Sequence, residues 1–370
     1  MENRKREIIE AFLKREKLLT PKALDFLTRT KNYRGFLQVE SEKLVLDISD
    51  FLAFEPKELG DKVKILLNLT EIPSELRVED FASFYRSRYE KVKKLILQRL
   101  PYSYVSIDKL THEEAFIIGM VREIRSQNDK TLLEVEDLTA KCSVLIDKEH
   151  AKEVEKDDVL AIKCRKFGDL VYASALLYPD IPLRSPKKGR GKIVAISDLH
   201  LDEAPLEELE AFLKWFRLSE VKFLFIAGDI GDVKKLEDLF QELEGKSVFL
   251  IPGEIDDKRY PAPPLEVKNE VFIPLSNPAM IELNGIKILL IHEFKLQMLK
   301  KRLLGRPNVI CNEEKLVLEE VPDLVIYGHT HKANVLNFKS ITLVNPGSLL
   351  TQFRPVLIDL ATRDYKFIKY

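Results

Sequence analysis

KIVAISDLH, residues 192–200, is a short apolar run that ends on an aspartate and, one residue further, a histidine. The pattern recurs. FLFIA (223–227) precedes Gly228-Asp229, VFLIP (248–252) precedes Gly253-Glu254, KILLI (287–291) precedes His292, and LVIY (324–327) precedes Gly328-His329-Thr330-His331. Apolar runs of this length read as buried strands, and in an open α/β sheet the residues just past the strand ends face the crevice where ligands bind. Taken singly, each histidine reads as a surface or satisfied core residue. Four of the six histidines follow such runs, and only His112 and His150 fall elsewhere, so the set reads as a metal site built from imidazole and carboxylate.

Composition bounds the alternatives. The 370 residues, 45% hydrophobic and 32% charged, suffice for two or three domains. No apolar run approaches the roughly 20 residues that span a bilayer. The opening MENRKREIIEAFLKREK has no apolar core of the signal-peptide kind, which makes a cytoplasmic protein the expectation. Net charge is -1, so no basic nucleic-acid footprint exists, and attraction to phosphate would have to come from bound metal and a partner chain. Cys142, Cys164 and Cys311 are scattered and odd in number, which points to apolar roles rather than disulfides or a zinc site.

Upstream of residue 189 the chain changes character three times. Residues 1–75 read as a small helical domain: Ile8, Ile9, Phe12 and Leu13 recur at helical spacing, and Thr20-Pro21 is a cap followed by proline at the first helical position. The stretch 35–48 reads as a hairpin or loop. Residues 78–100, VEDFASFYRSRYEKVKKLILQRL, carry an apolar stripe of Phe81, Phe84, Tyr85, Val92, Leu95, Ile96 and Leu100, a helix that packs on the domain downstream. Residues 101–185 hold about five short strands with a charged helical stretch, KEHAKEVEKDD (148–158), between them, which suits an OB-type barrel. Its aromatics, chiefly Phe116, Phe167 and Tyr172, are too few for a convincing single-strand platform, so a structural or docking role is favoured. A basic linker, SPKKGRGK (185–192), reads as solvated and leads into residues 189–370.

Two divalent ions roughly 3.5–4 Å apart can hold both the attacking and leaving oxygens of a phosphoester. Asp198 and His200 would face one ion together, as residues one apart in extended chain do. Asp229, after a glycine, is placed to bridge, and His329-x-His331 repeats the spacing. The ordered series Asp-x-His, Gly-Asp, Gly253-Glu254, the lone His292, Gly-His-Thr-His and Asn345-Pro-Gly-Ser348 resembles the calcineurin-like metallophosphoesterase superfamily over residues 192–350. With FYRSRYEKVKKLILQR, IIGMVREIRS, EDLTAKCSVLI and LYPDIPLR upstream, nearly the whole chain resembles the small subunit of archaeal family D DNA polymerase, a relative of eukaryotic replicative-polymerase B subunits.

That resemblance implies an αββα phosphoesterase sandwich, an OB barrel and a helical N-terminal domain. It implies a metal-dependent 3′→5′ proofreading exonuclease acting in DNA replication, paired with a large catalytic subunit and taking single-stranded DNA 3′ ends. Sliding clamp and primase are further candidate partners. Two divalent ions are implied, manganese first, with iron, zinc or magnesium as alternatives. One would lie among Asp198, His200, Asp229 and His331, the other among Asp229, Glu254, His292 and His329, with Asp229, His292 and His329 also in catalytic roles. Where the family reads Gly-Asn-His-Asp, this chain reads Gly253-Glu254-Ile255-Asp256: the amide ligand becomes a carboxylate and the proton-donating histidine becomes Ile255. General acid assistance is worth roughly 10² to 10⁴ in rate, so attenuated activity is expected. Glu293 stands where the family has glycine, and the stretch after Asp229 is short. The alternative is an inactive scaffold subunit. A free-standing small-molecule phosphodiesterase would leave residues 1–188 without a task.

Overall fold

The computed structural model describes residues 2–29, 36–37, 39, 43–52, 61–70, 77–100, 103–168, 170–311 and 313–370. The chain divides into two compact units, 1–62 and 63–370. In the first, helices α1 (Glu2–Leu13), α2 (Pro21–Arg29) and α3 (Ile48–Leu52) enclose Ile8, Phe12, Ala23, Leu27, Leu46 and Phe51. Strands β1 (Leu18–Leu19) and β2 (Val45–Leu46) pair in parallel, so the described part of 35–48 is no hairpin. Thr20 Oγ1 accepts from the Ala23 N–H and caps α2 as its sequence suggests. Ile9 and Leu13 lie exposed, because the short helix α1 buries only the face carrying Ile8 and Phe12.

The first boundary falls at Lys62 rather than near residue 75. Strand β3 (Val63–Leu67) is hydrogen-bonded into the downstream sheet through Val63–Leu283 and Ile65–Ile281. Helix α4 (Val78–Leu97) follows, with Tyr89, Val92, Leu95 and Ile96 buried but Phe81 exposed, so the apolar stripe begins one turn later than its spacing indicates. Strands β4 (Ala115–Gln127), β5 (Lys130–Glu136), β6 (Lys141–Asp147), β7 (Val159–Phe167) and β8 (Leu170–Leu177) close a barrel in the order β4-β5-β6-β8-β7. Residues 148–158 are turns, not a helix. Their backbone bonds run three residues back, His150 to Asp147 and Val154 to Ala151, and the Asp158 carboxylate accepts from the Glu155 N–H instead of leaving that donor to a helix. Phe116 is buried on the barrel's outer side against α4, which removes it as a base platform, while Phe167 and Tyr172 meet edge to face at the surface.

Residues 192–367 form two sheets face to face. Strands β9 (Lys192–Ile196), β10 (Phe223–Ala227), β11 (Ser247–Ile251) and β12 (Phe272–Pro274) run parallel in the order β12-β11-β10-β9. The second sheet contains β13 (Ala279–Leu283), β14 (Ile286–Leu290), β15 (Leu324–Ile326), β16 (Asn334–Phe338) and β17 (Ile341–Asn345), with β3 at its edge. Strands β18 (Val356–Asp359) and β19 (Tyr365–Phe367) complete the first. Alternation of side chains fills three layers. Ile193, Ala195, Phe225 and Phe249 meet Ile281, Ile288, Leu290 and Ile326 between the sheets. Val194, Ile196, Leu224 and Ile226 pack outward against the helix Glu207–Leu218, whose Phe212 and Phe216 are wholly buried and contribute about 1.5–3 kcal/mol each. Met280, Leu289 and Val325 pack outward against α4, the helix Leu296–Lys301 and the barrel. Coverage on both faces is why these strands read as continuous apolar runs.

Candidate metal centre

All five ligand-bearing segments begin where a central strand stops. Past β9 and β10 the two chains stay paired: Asp198 N–H donates to Gly228 O, His200 N–H to Asp229 O and Leu201 N–H to Ile230 O. The backbone there is not extended. Asp198 (φ 51°), His200 (45°), Asp229 (50°), His329 (68°) and His331 (55°) are left-handed, five of the thirteen non-glycine residues with positive φ among the described residues. Each such residue costs of order 1–3 kcal/mol, and clustering of that strain at one place marks a functional site. The ligand pairs therefore converge through strained turns, not through the same-side geometry of a strand.

Four side chains form one tight set. Ligand atoms of Asp198, His200, Asp229 and His331 all lie within 4.8 Å of one another. His331 Nε2 is 3.3 Å from Asp198 Oδ1, His200 Nε2 is 3.1 Å from His331 Nε2, and His200 Nε2 is 3.8 Å from Asp229 Oδ2. Asp198 is fully buried, its carboxylate accepting the His329 N–H and its carbonyl accepting Ser348 Oγ–H and Leu349 N–H. Two imidazole nitrogens at 3.1 Å between two carboxylates make a donor set that could hold a cation.

The remaining three are more loosely placed. His292 is buried, with Nδ1 bonded to Ala227 O at 2.8 Å, which turns Nε2 toward Asp229. That atom is 3.2 Å from Asp229 Oδ2 yet has no aligned hydrogen-bond partner, as expected of a metal-ligating histidine held by its other nitrogen. The His292 and His329 rings are 5.5 Å apart, and His329 Nδ1 is 3.9 Å from Glu254 Oε2. Ile255 is 53% exposed, and its N–H donates to Asp229 Oδ1. Glu293 pairs with Lys295 at 2.7 Å, and the short stretch after Asp229 runs directly into the helix Val233–Leu239, capped by Asp232.

Electrostatics follow from this packing. Burial disfavours protonation of His292, but Asp229 beside it outweighs that and lifts its pKa to about 9. Burial likewise opposes ionisation of Asp229, and contact with His292 prevails, holding that carboxyl below the usual range. For Asp198 burial wins and the pKa rises, despite the pull of His292 and His331.

The scaffold contains residues to which the sequence attached no role. Asp256 accepts from Ile230, Gly231 and Gly253 N–H groups and so ties the turns after β10 and β11 together. Asn277 Oδ1 accepts the His292 N–H, and Asn345 Nδ2 donates to Gly328 O and Thr330 Oγ1. Only glycine fits at two points: a Cβ on Gly328 would lie 2.3 Å from Asp198 Oδ2, and one on Gly253 would lie 2.1 Å from Asp229 Oδ1. Asp256 and Asn345 belong to motifs visible in the chain, but their partners are distant in sequence. A cleft of about 1000 Å³ opens beside Glu254, Ile255 and His292, and its far wall includes Lys152 to Asp158 of the barrel.

Residues 192–363 match the calcineurin-like phosphoesterase superfamily domain. The chain is similar to several archaeal DNA polymerase II small subunits. It is 28% identical to the DNA polymerase II small subunit of Pyrococcus furiosus, aligning 75% of this chain with 59% of that protein. The Archaeoglobus fulgidus protein of the same name is 25% identical over 74% of this chain and 71% of its own length. The chain thus spans under two thirds of the Pyrococcus protein. Among solved structures, an archaeal phosphodiesterase is 20% identical, with 48% of this chain and 99% of that one covered at a TM-score of 0.34. No helix among the described residues is long and apolar enough to cross a membrane.

Proposed function

We propose that this chain is the small subunit of an archaeal DNA polymerase and a metal-dependent 3′→5′ exodeoxyribonuclease that acts in replication, with activity reduced by Ile255. The observation that carries the reading is the set Asp198, His200, Asp229 and His331 within 4.8 Å, backed by the buried Nε2 of His292. Imidazole and carboxylate donors suit manganese, with iron, zinc and magnesium as alternatives. Asp198, His200, Asp229 and His331 would hold one divalent cation, and Asp229, Glu254, His292 and His329 a second. The cations would supply Lewis-acid stabilisation of the phosphate and an activated water. Asp229 lies between the two sets, and Ala227 O fixes the His292 ring through Nδ1. The cleft along Glu254 and Ile255 would admit the DNA 3′ end, with no imidazole at 255 to protonate the leaving oxygen. A large catalytic subunit is the proposed partner, sliding clamp and primase are further ones, and the cytoplasm is the proposed location.

The exposed Ile255 favours a second reading, a scaffold subunit without catalysis. Release of the label from a 3′-labelled single-stranded oligonucleotide with Mn²⁺ distinguishes them. Cleavage that is lost in His329→Ala supports the nuclease. No cleavage by the wild type, even with the large subunit added, leaves the scaffold.

A further inference from the structure

The two halves of the centre differ in how completely the protein has built them. In the first, Asp198 is fully buried, its carboxylate and carbonyl are both hydrogen-bonded, and all four ligand atoms already lie within 4.8 Å. In the second, only Asp229 and His292 are buried in place. His329 is 38% exposed and Glu254 62% exposed, their contact is a long 3.9 Å, and the Glu254 carboxylate accepts no hydrogen bond among the described residues. Binding there must fix an exposed side chain that no hydrogen bond holds, an entropic cost absent from the first set. A carboxylate at 254 offsets part of that cost by placing a full negative charge on the second cation, where an amide would offer only a dipole.

Resting on the two-cation reading, we propose that the halves fill in order. A first divalent cation is held tightly by Asp198, His200, Asp229 and His331. A second binds more weakly, when Glu254 turns inward to join His292, His329 and the shared Asp229. Glu254 is then a recruiting ligand whose charge sets the concentration at which the centre becomes binuclear.

Calorimetric titration of the metal-stripped full chain with MnCl₂ tests this without reference to cleavage. The wild type should show two steps at least tenfold apart in Kd. Glu254→Gln should keep the tight step and weaken the second tenfold or more, while His331→Ala and Asp198→Asn should weaken the tight step, thermal unfolding confirming that each variant is folded. Uptake of two ions in one step, or a second step indifferent to Glu254→Gln, overturns the order of filling. A single tight ion with no second overturns it too, yet leaves the first set standing as a metal site. No Mn²⁺ uptake by the wild type sinks both the proposal and the metal reading.

Discussion

The buried and the open half of the metal centre are made from the same residue types by different means. Around Asp198 the protein supplies a backbone donor to the carboxylate, a serine donor to the carbonyl and a glycine-sized gap, so the side chain is held in place before any ligand arrives, although burial still raises its pKa. Around Glu254 it supplies almost nothing, and the carboxylate stays in water. The difference teaches that a ligand set read from strand ends need not be equally assembled throughout.

The largest expected effect lies in the open half. Ile255→His restores an imidazole at the cleft and should raise phosphodiester cleavage by about 10² to 10⁴, measured at saturating Mn²⁺. An unchanged rate would mean that proton donation is not what the open half lacks. Next come the glycines of the closed half. Gly328→Ala drives a methyl into the Asp198 carboxylate and should lower cleavage by about 10²-fold. It should also lower stability by about 1–3 kcal/mol in denaturant unfolding. If the tight Mn²⁺ step survived this change, the closed half would be less rigid than its packing indicates. Asp256→Asn presents an amide to three N–H donors, and a loss of about 2 kcal/mol in the same unfolding assay is expected. The smallest effect is that of Ser348→Ala, which removes one hydrogen bond to the Asp198 carbonyl, worth about 1 kcal/mol. A melting-temperature drop of roughly 2 °C would register it.

Much of this was legible along the chain, for a physical reason. A strand covered on both faces must be apolar throughout, so KIVAI and FLFIA stand out, and the polar residue that ends each run must face the crevice. The helix at 78–97 is visible through Phe84, Val92, Leu95 and Ile96, because one face is buried. What failed depended on partners remote in sequence. KEHAKEVEKDD has the composition of a helix, but it folds as turns that place Ala151 and Val154 against the barrel core, and Asp158 takes a turn donor. Phe81 sits at helical spacing yet lies exposed, and β3 joins a sheet whose other strands lie more than two hundred residues away. Of the site, the residue types were readable and the geometry was not: Asp198 and His200 meet through left-handed backbone, which a period of two cannot reveal.

By itself the sequence determined which residues end the strands and what they can coordinate, since these follow from local hydrophobicity and donor chemistry. Tertiary structure alone decided that Asp198, His200, Asp229 and His331 converge while Glu254 stays outside. Distances between side chains on different strands are set by sheet packing and by the loops that Asp256 and Asn345 fasten.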